Sequence, residues 1–175
     1  MSAGLREIRA IPDRSDRRRG ILLAGGLREP CALGRSGIVG NKREGDGGTP
    51  SGRHSLVAVF YRPDRVGRPV TRLPVLALGP DSGWCDDPGD RNYNRFVRLP
   101  YAAGHERLWR GDRLYDLVVV LDYNLARPLP GRGSAIFLHL ATPGFTPTQG
   151  CVAVSRATLR RLLAFATPET ALVIP

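Results

Sequence analysis

The chain predicts a mainly β domain, a sandwich or barrel-like fold with one C-terminal helix and a long irregular loop. Three observations lead to this. Short apolar runs recur along its 175 residues, most of them bounded by Gly, Pro or Asp. Only Arg156 to Ala166 carries apolar residues at helical spacing. Between Gly79 and Ala103 there is no periodicity at all, yet Trp84, Tyr93, Phe96 and Tyr101 lie there, which marks an ordered, packed loop.

The elements follow in order. Leu5 to Ile11 alternates and predicts an edge strand within an N-terminal extension, residues 1–19, ahead of a domain spanning 20–175. Gly20 to Ala24 and Leu27 to Leu33 flank Gly25-Gly26 and read as a β-hairpin. Gly34 to Gly52 is glycine-rich loop, and its spacing lacks the Gly-x4-Gly-Lys of a phosphate cradle. His54 to Tyr61 and Val75 to Leu78 are strands ended by prolines, and His105 to Trp109 reads as one helical turn. Leu114 to Leu121 is a strand whose unbroken run from Leu117 to Leu121 predicts burial on both faces. Pro128 to Gly133 is a turn. Ser155 is an N-cap for the helix, with Leu159, Leu162, Leu163 and Phe165 as its apolar face and Thr167-Pro168 as its stop. Ala171 to Ile174 forms the last strand.

Hydrophobic content of 42% and charged content of 24% are ordinary for one soluble domain with its own core. No apolar run is long enough to span a bilayer. The net charge of +10 rests almost wholly on arginine, Lys42 being the only lysine, and favours an anionic partner such as a carboxylate-rich polymer. The arginines form no stripe interleaved with aromatics, so no nucleic-acid partner is expected. Ile21 to Ala24 falls short of the roughly 7–15 apolar residues of an export signal. Three cysteines leave at least one free thiol, whether or not Cys31 and Cys85 pair. The acidic run from Asp86 to Asn94 lacks the glycine and glutamate positions of a calcium loop, and Asx turns account for it.

Ser134 to Ser155, SAIFLHLATPGFTPTQGCVAVS, carries the chemistry. An apolar run delivers His139. After a Pro/Gly/Thr turn, Gly150-Cys151 opens a second apolar run. Two short strands joined this way bring an imidazole and a thiol to one end of a sheet. The thiolate is the nucleophile, and an imidazole can take the thiol's proton and lower its pKa. Glycine before the cysteine permits a sharp turn whose N–H groups can face an oxyanion. Singly, such a Cys is ordinarily an inert core residue; coupled across one loop, the pair reads as cysteine acyl transfer.

His139 followed by Thr148-Gln149-Gly150-Cys151 resembles the signature of the L,D-transpeptidases of the YkuD type. Upstream, Glu44-Gly45-Asp46-Gly47-Gly48-Thr49-Pro50-Ser51-Gly52 resembles that family's G-D-x-x-T-P-x-G segment, and the likeness runs from about Gly20 to the C-terminus. The resemblance implies a β-sandwich or barrel in which Cys151 attacks a peptidoglycan stem peptide and forms a thioester. His139 moves the protons, and N–H groups around Gly150 and Cys151 hold the oxyanion. A diaminopimelate amine on a neighbouring stem then closes the cross-link. It implies no metal or organic cofactor, donor and acceptor stem peptides as partners, and a monomer working in the periplasm or cell wall. Expected on the cleft wall are Gln149, Thr148, Asp86, Asp87, Tyr93, Asn94, Trp84 and His105.

The family usually has histidine at Gln149 and arginine at Ala153, a longer loop between His139 and Cys151, and a glycine directly after the histidine. These departures bear on donor recognition, and leave open a link at the first stem residue (1→3) or the third (3→3). Two further readings stand beside the transferase: an L,D-carboxypeptidase or amidase in which water takes the acyl group, and a non-catalytic wall-binding module.

Overall fold

The computed structural model describes residues 4–175. In chain order the strands are β1 (Leu5–Pro12), β2 (Arg19–Ala24), β3 (Leu27–Ala32), β4 (Ile38–Val39), β5 (Thr49–Pro50), β6 (Gly52–Tyr61) and β7 (Val75–Ala77). They continue with β8 (Ser82–Cys85), β9 (Arg95–Arg98), β10 (His105–Arg107), β11 (Leu117–Leu121), β12 (Phe137–Leu140) and β13 (Val152–Val154). Helix α1 (Arg156–Phe165) and β14 (Ala166–Ile174) complete the described chain.

The β2–β3 hairpin forms as its sequence predicts. Gly25 and Gly26 sit at φ 51° and 88°, a left-handed pair that matches the twist of two paired strands. From this hairpin the main sheet extends in the order β11-β12-β13-β3-β2-β1-β14-β6-β7, and β11 also pairs with β6. That second pairing closes the sheet into a ring, with β7 a parallel branch on β6. Closure removes the hydrogen-bonding edges that an open sheet would leave. The expected edge strand, β1, is therefore internal. It pairs antiparallel with β2 and parallel with β14, a partner from the far end of the chain that local patterning cannot reveal.

Alternation along each strand sorts side chains into two cores. Leu117, Val119, Leu121, Leu138, Leu140, Val152 and Val154 join one apolar cluster with Leu159, Leu162 and Leu163 of α1. Val118, Val120, Phe137 and Cys151 face the other way, into a second cluster with Phe60, Trp84, Leu108 and Tyr115. All five residues of β11 are buried, as its apolar run predicts. Ser155 caps α1, its side-chain oxygen accepting from Thr158 N–H at 3.1 Å. Phe165, expected on the helix's apolar face, is 54% exposed, because it ends the helix one turn past the buried leucines. The helix ends at Phe165, just ahead of Thr167-Pro168 as expected, and those two residues lie within β14, which begins directly after it.

The second core is covered by a three-stranded sheet in the order β10-β8-β9. Its strands β8 and β9 come from the stretch, Gly79 to Ala103, expected to be irregular. The expected helical turn at 105–109 is strand β10 for its first three residues, with His105, Glu106 and Arg107 opposite Cys85, Trp84 and Gly83. Between β8 and β9 the acidic segment makes Asx turns: Asp87 Oδ1 accepts from Gly89 N–H at 2.8 Å and Asp90 Oδ1 from Asn92 N–H at 2.7 Å. Cys31, Cys85 and Cys151 are all free thiols. Among the described residues, no helix is long and apolar enough to cross a membrane.

Candidate active site

The parallel register of β12 and β13 sets Leu138 beside Val152 and His139 beside Ala153. Cys151 precedes Ala153 by two residues, so its side chain shares the face of His139, the face turned toward the small sheet. The thiol is held at both ends of its hydrogen-bonding range. It accepts from Phe137 N–H at 3.3 Å and donates to the Ala135 carbonyl at 3.2 Å. Ala135 itself adopts φ 51°, a left-handed conformation that a non-glycine residue keeps only when its surroundings fix it.

The turn before Cys151 requires glycine twice over. Gly150 has φ 139°, and a Cβ there would stand 2.8 Å from the Gly48 carbonyl. The glycine-rich segment 44–52 thus lies directly against the turn that carries Cys151. Thr49 Oγ1 accepts from Gly34 N–H at 2.8 Å and donates to the Cys151 carbonyl at 3.5 Å. Asp46 organises the segment, accepting from Arg43 N–H at 2.7 Å, Gly48 N–H at 2.8 Å and Lys42 Nζ at 2.5 Å. Thr148 Oγ1 donates to the Cys151 carbonyl at 2.6 Å and accepts from Gly150 N–H at 3.1 Å. The Gly150 N–H expected in an oxyanion hole is therefore already engaged. Gln149, where the family usually carries histidine, takes its side-chain carbonyl to Arg35 Nη1.

His139 Nδ1 lies 2.9 Å from the Leu140 carbonyl. A carbonyl only accepts, so Nδ1 carries the hydrogen and Nε2 is the unprotonated, accepting nitrogen. Burial drives the imidazole pKa down to about 4. Burial, followed by the charge of Glu106, pushes the Cys151 thiol up to about 12, against the pull of the Phe137 N–H and the Lys42 charge. The resting pair is neutral thiol and neutral imidazole, in contrast to the lowered thiol pKa expected beside a histidine. Desolvation outweighs the neighbour because an uncharged imidazole offers no Coulombic help.

Cys151 and His139 line a cavity of about 690 Å³. Of the expected wall residues, Thr148, Gln149, Asp86 and His105 also line it. Trp84, Tyr93 and Asn94 do not; each is at most 4% exposed and supports the wall from behind. Trp84 Nε1 donates to Asn94 Oδ1 at 2.9 Å and packs edge-to-face on Phe137. Tyr93 accepts from Gly133 N–H at 3.0 Å and donates to Glu44. Asp87 is spent on its Asx turn. Other polar residues in the lining include Lys42, Glu44, Glu106, Arg107, Arg110, Tyr115 and Ser134. Glu44 belongs to the glycine-rich segment 44–52, and Glu106 to the stretch whose sequence predicts a helical turn and whose structure is strand β10. Among the described residues, no three His, Cys, Asp or Glu side chains converge as a metal site.

Fold and site together define a closed β-barrel protein in which a buried thiol and a histidine with a free Nε2 line one cavity. The chain belongs to the YkuD family of L,D-transpeptidase catalytic domains, whose family model matches residues 9–174. No match to the chain was found among curated proteins or among solved structures.

Proposed function

We propose that this protein is a peptidoglycan L,D-transpeptidase that joins stem peptides through a thioester on Cys151. The observation that carries the reading is that Cys151, directly ahead of β13, and His139 on the parallel neighbour β12 line one cavity, with Nδ1 anchored and Nε2 left basic. Substrate entering the cavity brings its carbonyl to the thiol. Proton transfer from Sγ to Nε2 accompanies attack, so no standing thiolate is needed. The carbonyl oxygen becomes an oxyanion that takes a main-chain N–H of the nucleophile turn, with Cys151 N–H the donor in place of the engaged Gly150 N–H. The imidazolium then protonates the leaving D-amino acid amine. A neighbouring stem's side-chain amine attacks the thioester and restores the thiol.

Ala153, next to His139 in the register, leaves room where the family usually has arginine. This supports a donor held without that guanidinium, and a 1→3 link beside the 3→3 link. Action in the periplasm or cell wall follows from the substrate. The test is incubation of the purified protein with disaccharide-tetrapeptide muropeptides, followed by mass spectrometry. Dimers and a one-acyl adduct on Cys151 are the expected products. Shortened monomers alone mean that water is the acceptor, and no adduct with no product refutes the enzyme reading.

A further inference from the structure

Lys42 is the chain's only lysine, and it is 3% exposed. A buried ammonium is costly, so its place in the fold calls for a reason. Two glycines of positive φ admit its stem. A Cβ at Gly133 (φ 99°) would stand 2.9 Å from Lys42 Cγ and 3.2 Å from Cε, and one at Gly150 would stand 3.5 Å from Cε. Gly150 directly precedes Cys151, so the end of the lysine side chain lies against the turn that carries the thiol. Both residues line the same cavity.

The ammonium is fixed from one side. Nζ donates to the Arg43 carbonyl at 2.8 Å and to Asp46 Oδ1 at 2.5 Å. An ammonium has three hydrogens, and no partner among the described residues takes the third. Asp46 does not depend on the lysine to order its segment, since the N–H groups of Arg43 and Gly48 already reach its two oxygens. The thiol, by contrast, lacks other cationic help. His139 is neutral at rest, Gln149 is uncharged and bonded to Arg35, and the Gly150 N–H is engaged by Thr148. Of the charges that act on the thiol, Glu106 raises its pKa and Lys42 lowers it. Arg110 is held by Asp112 and Glu106, and Arg107, also on the cavity, is exposed.

We infer that the Lys42 ammonium is the fixed positive charge that stabilises the anionic transition state when Cys151 attacks its substrate. This rests on the transpeptidase reading for the identity of the acyl group, and deepens that reading by naming the cation. As the Sγ–C bond forms, the Sγ proton passes to His139 Nε2 and the carbonyl π pair moves onto oxygen. Lys42 exchanges no proton in the step. Its charge is already in place, and a preorganised cation beside a buried reacting centre counts for more than one in water. The same charge acts again when the acceptor amine adds to the thioester and a second oxyanion forms.

The experiment compares the whole chain as wild type, Lys42→Gln, Lys42→Met and Lys42→Arg. Glutamine keeps an N–H donor for Asp46 without the charge, methionine keeps the stem alone, and arginine keeps the charge. Cys151 in the free protein is first alkylated with iodoacetate and, in parallel, with iodoacetamide, and the adducts are located by peptide mass spectrometry. The reagents differ in charge, so the ratio of their rates reports a cation near the thiol and is blind to a general loosening of the fold. Lys42→Gln is expected to lower the iodoacetate-to-iodoacetamide ratio about fivefold or more, and Lys42→Arg to retain most of it. Acylation of Cys151 by muropeptide is expected to slow about a hundredfold in Lys42→Gln, with partial rescue in Lys42→Arg. Lys42→Met gives the same two results where Lys42→Gln does not fold. A wild-type ratio together with wild-type acylation in a neutral variant overturns the role of the cation and leaves the transpeptidase reading intact. Slow acylation with an unchanged ratio also overturns it, and makes Lys42 a structural support of the turn. Absence of any muropeptide adduct in the wild type overturns the transpeptidase reading, while the alkylation ratio still decides for or against the cation.

Discussion

The ring of Tyr115 meets the ring of His139 edge to face, with centroids 5.3 Å apart and planes at 79°. The same tyrosine packs on Phe137 and donates its hydroxyl to Glu106, so the imidazole is steadied by a residue held at its far end by a carboxylate. Tyr115→Leu removes the ring and the anchor together. Acylation by this variant is expected to slow about tenfold or more, since misplacement of a reacting group is costly. Tyr115→Phe keeps the ring and loses only the hydroxyl bond, worth about 1 kcal/mol. Stopped-time mass spectrometry of the Cys151 adduct separates the two.

His139→Gln leaves Cys151 in place but removes the only basic nitrogen aimed at the cavity from β12. Adduct formation should fall by about 10²–10⁴, the usual contribution of a positioned acid–base group. Cys151→Ala should show no adduct at all. A His139→Gln protein that acylates at the wild-type rate would exclude the imidazole from the reaction.

The buried neutral pair also governs stability against pH. His139 binds its proton at about 4 when folded and 6.5 otherwise, so between those values the unfolded chain holds more protons and stability falls as pH falls. Cys31 and Cys151 release theirs at about 12 when folded against 9.0, so above pH 9 the folded chain holds more protons and stability falls as pH rises. Each group contributes on the order of 3 kcal/mol across its window. The expected Tm profile is a plateau from about pH 6.5 to 9 with a decline on either side. His139→Gln should flatten the acid limb and Cys31→Ala part of the alkaline one. For the same reason, alkylation of Cys151 in the free protein at pH 7 should be slower than that of an ordinary exposed thiol.

Gly150→Ala places a methyl group 2.8 Å from the Gly48 carbonyl at a φ of 139°. Strain of about 1–3 kcal/mol is expected, and the turn must shift to relieve it. Calorimetry should show a lowered Tm, and adduct formation should fall further than stability alone explains, because Sγ moves with the turn.

The readable parts of the fold were those whose information is local. Gly25-Gly26 specified a hairpin, Ser155 a helix start, and the run from Leu117 to Leu121 a strand buried on both faces. His139 and Cys151 stood out because one loop joins them. The small sheet escaped notice because SGWC, RFVR and HER are only three or four residues long and show no alternation; they become strands by pairing with one another. That error also hid Glu106, which a helical turn would place on the surface and which β10 brings to the cavity.

The adjacency of β1 and β14 has a kinetic side. Leu5 lies opposite Ala166, so ring closure joins segments about 160 residues apart and must overcome the entropy of a very long chain loop. Hairpin and helix can form early, but the last seam waits until the final strand arrives. Until then β1 and β6 each present a free hydrogen-bonding flank, so a half-built ring is the species most prone to self-association.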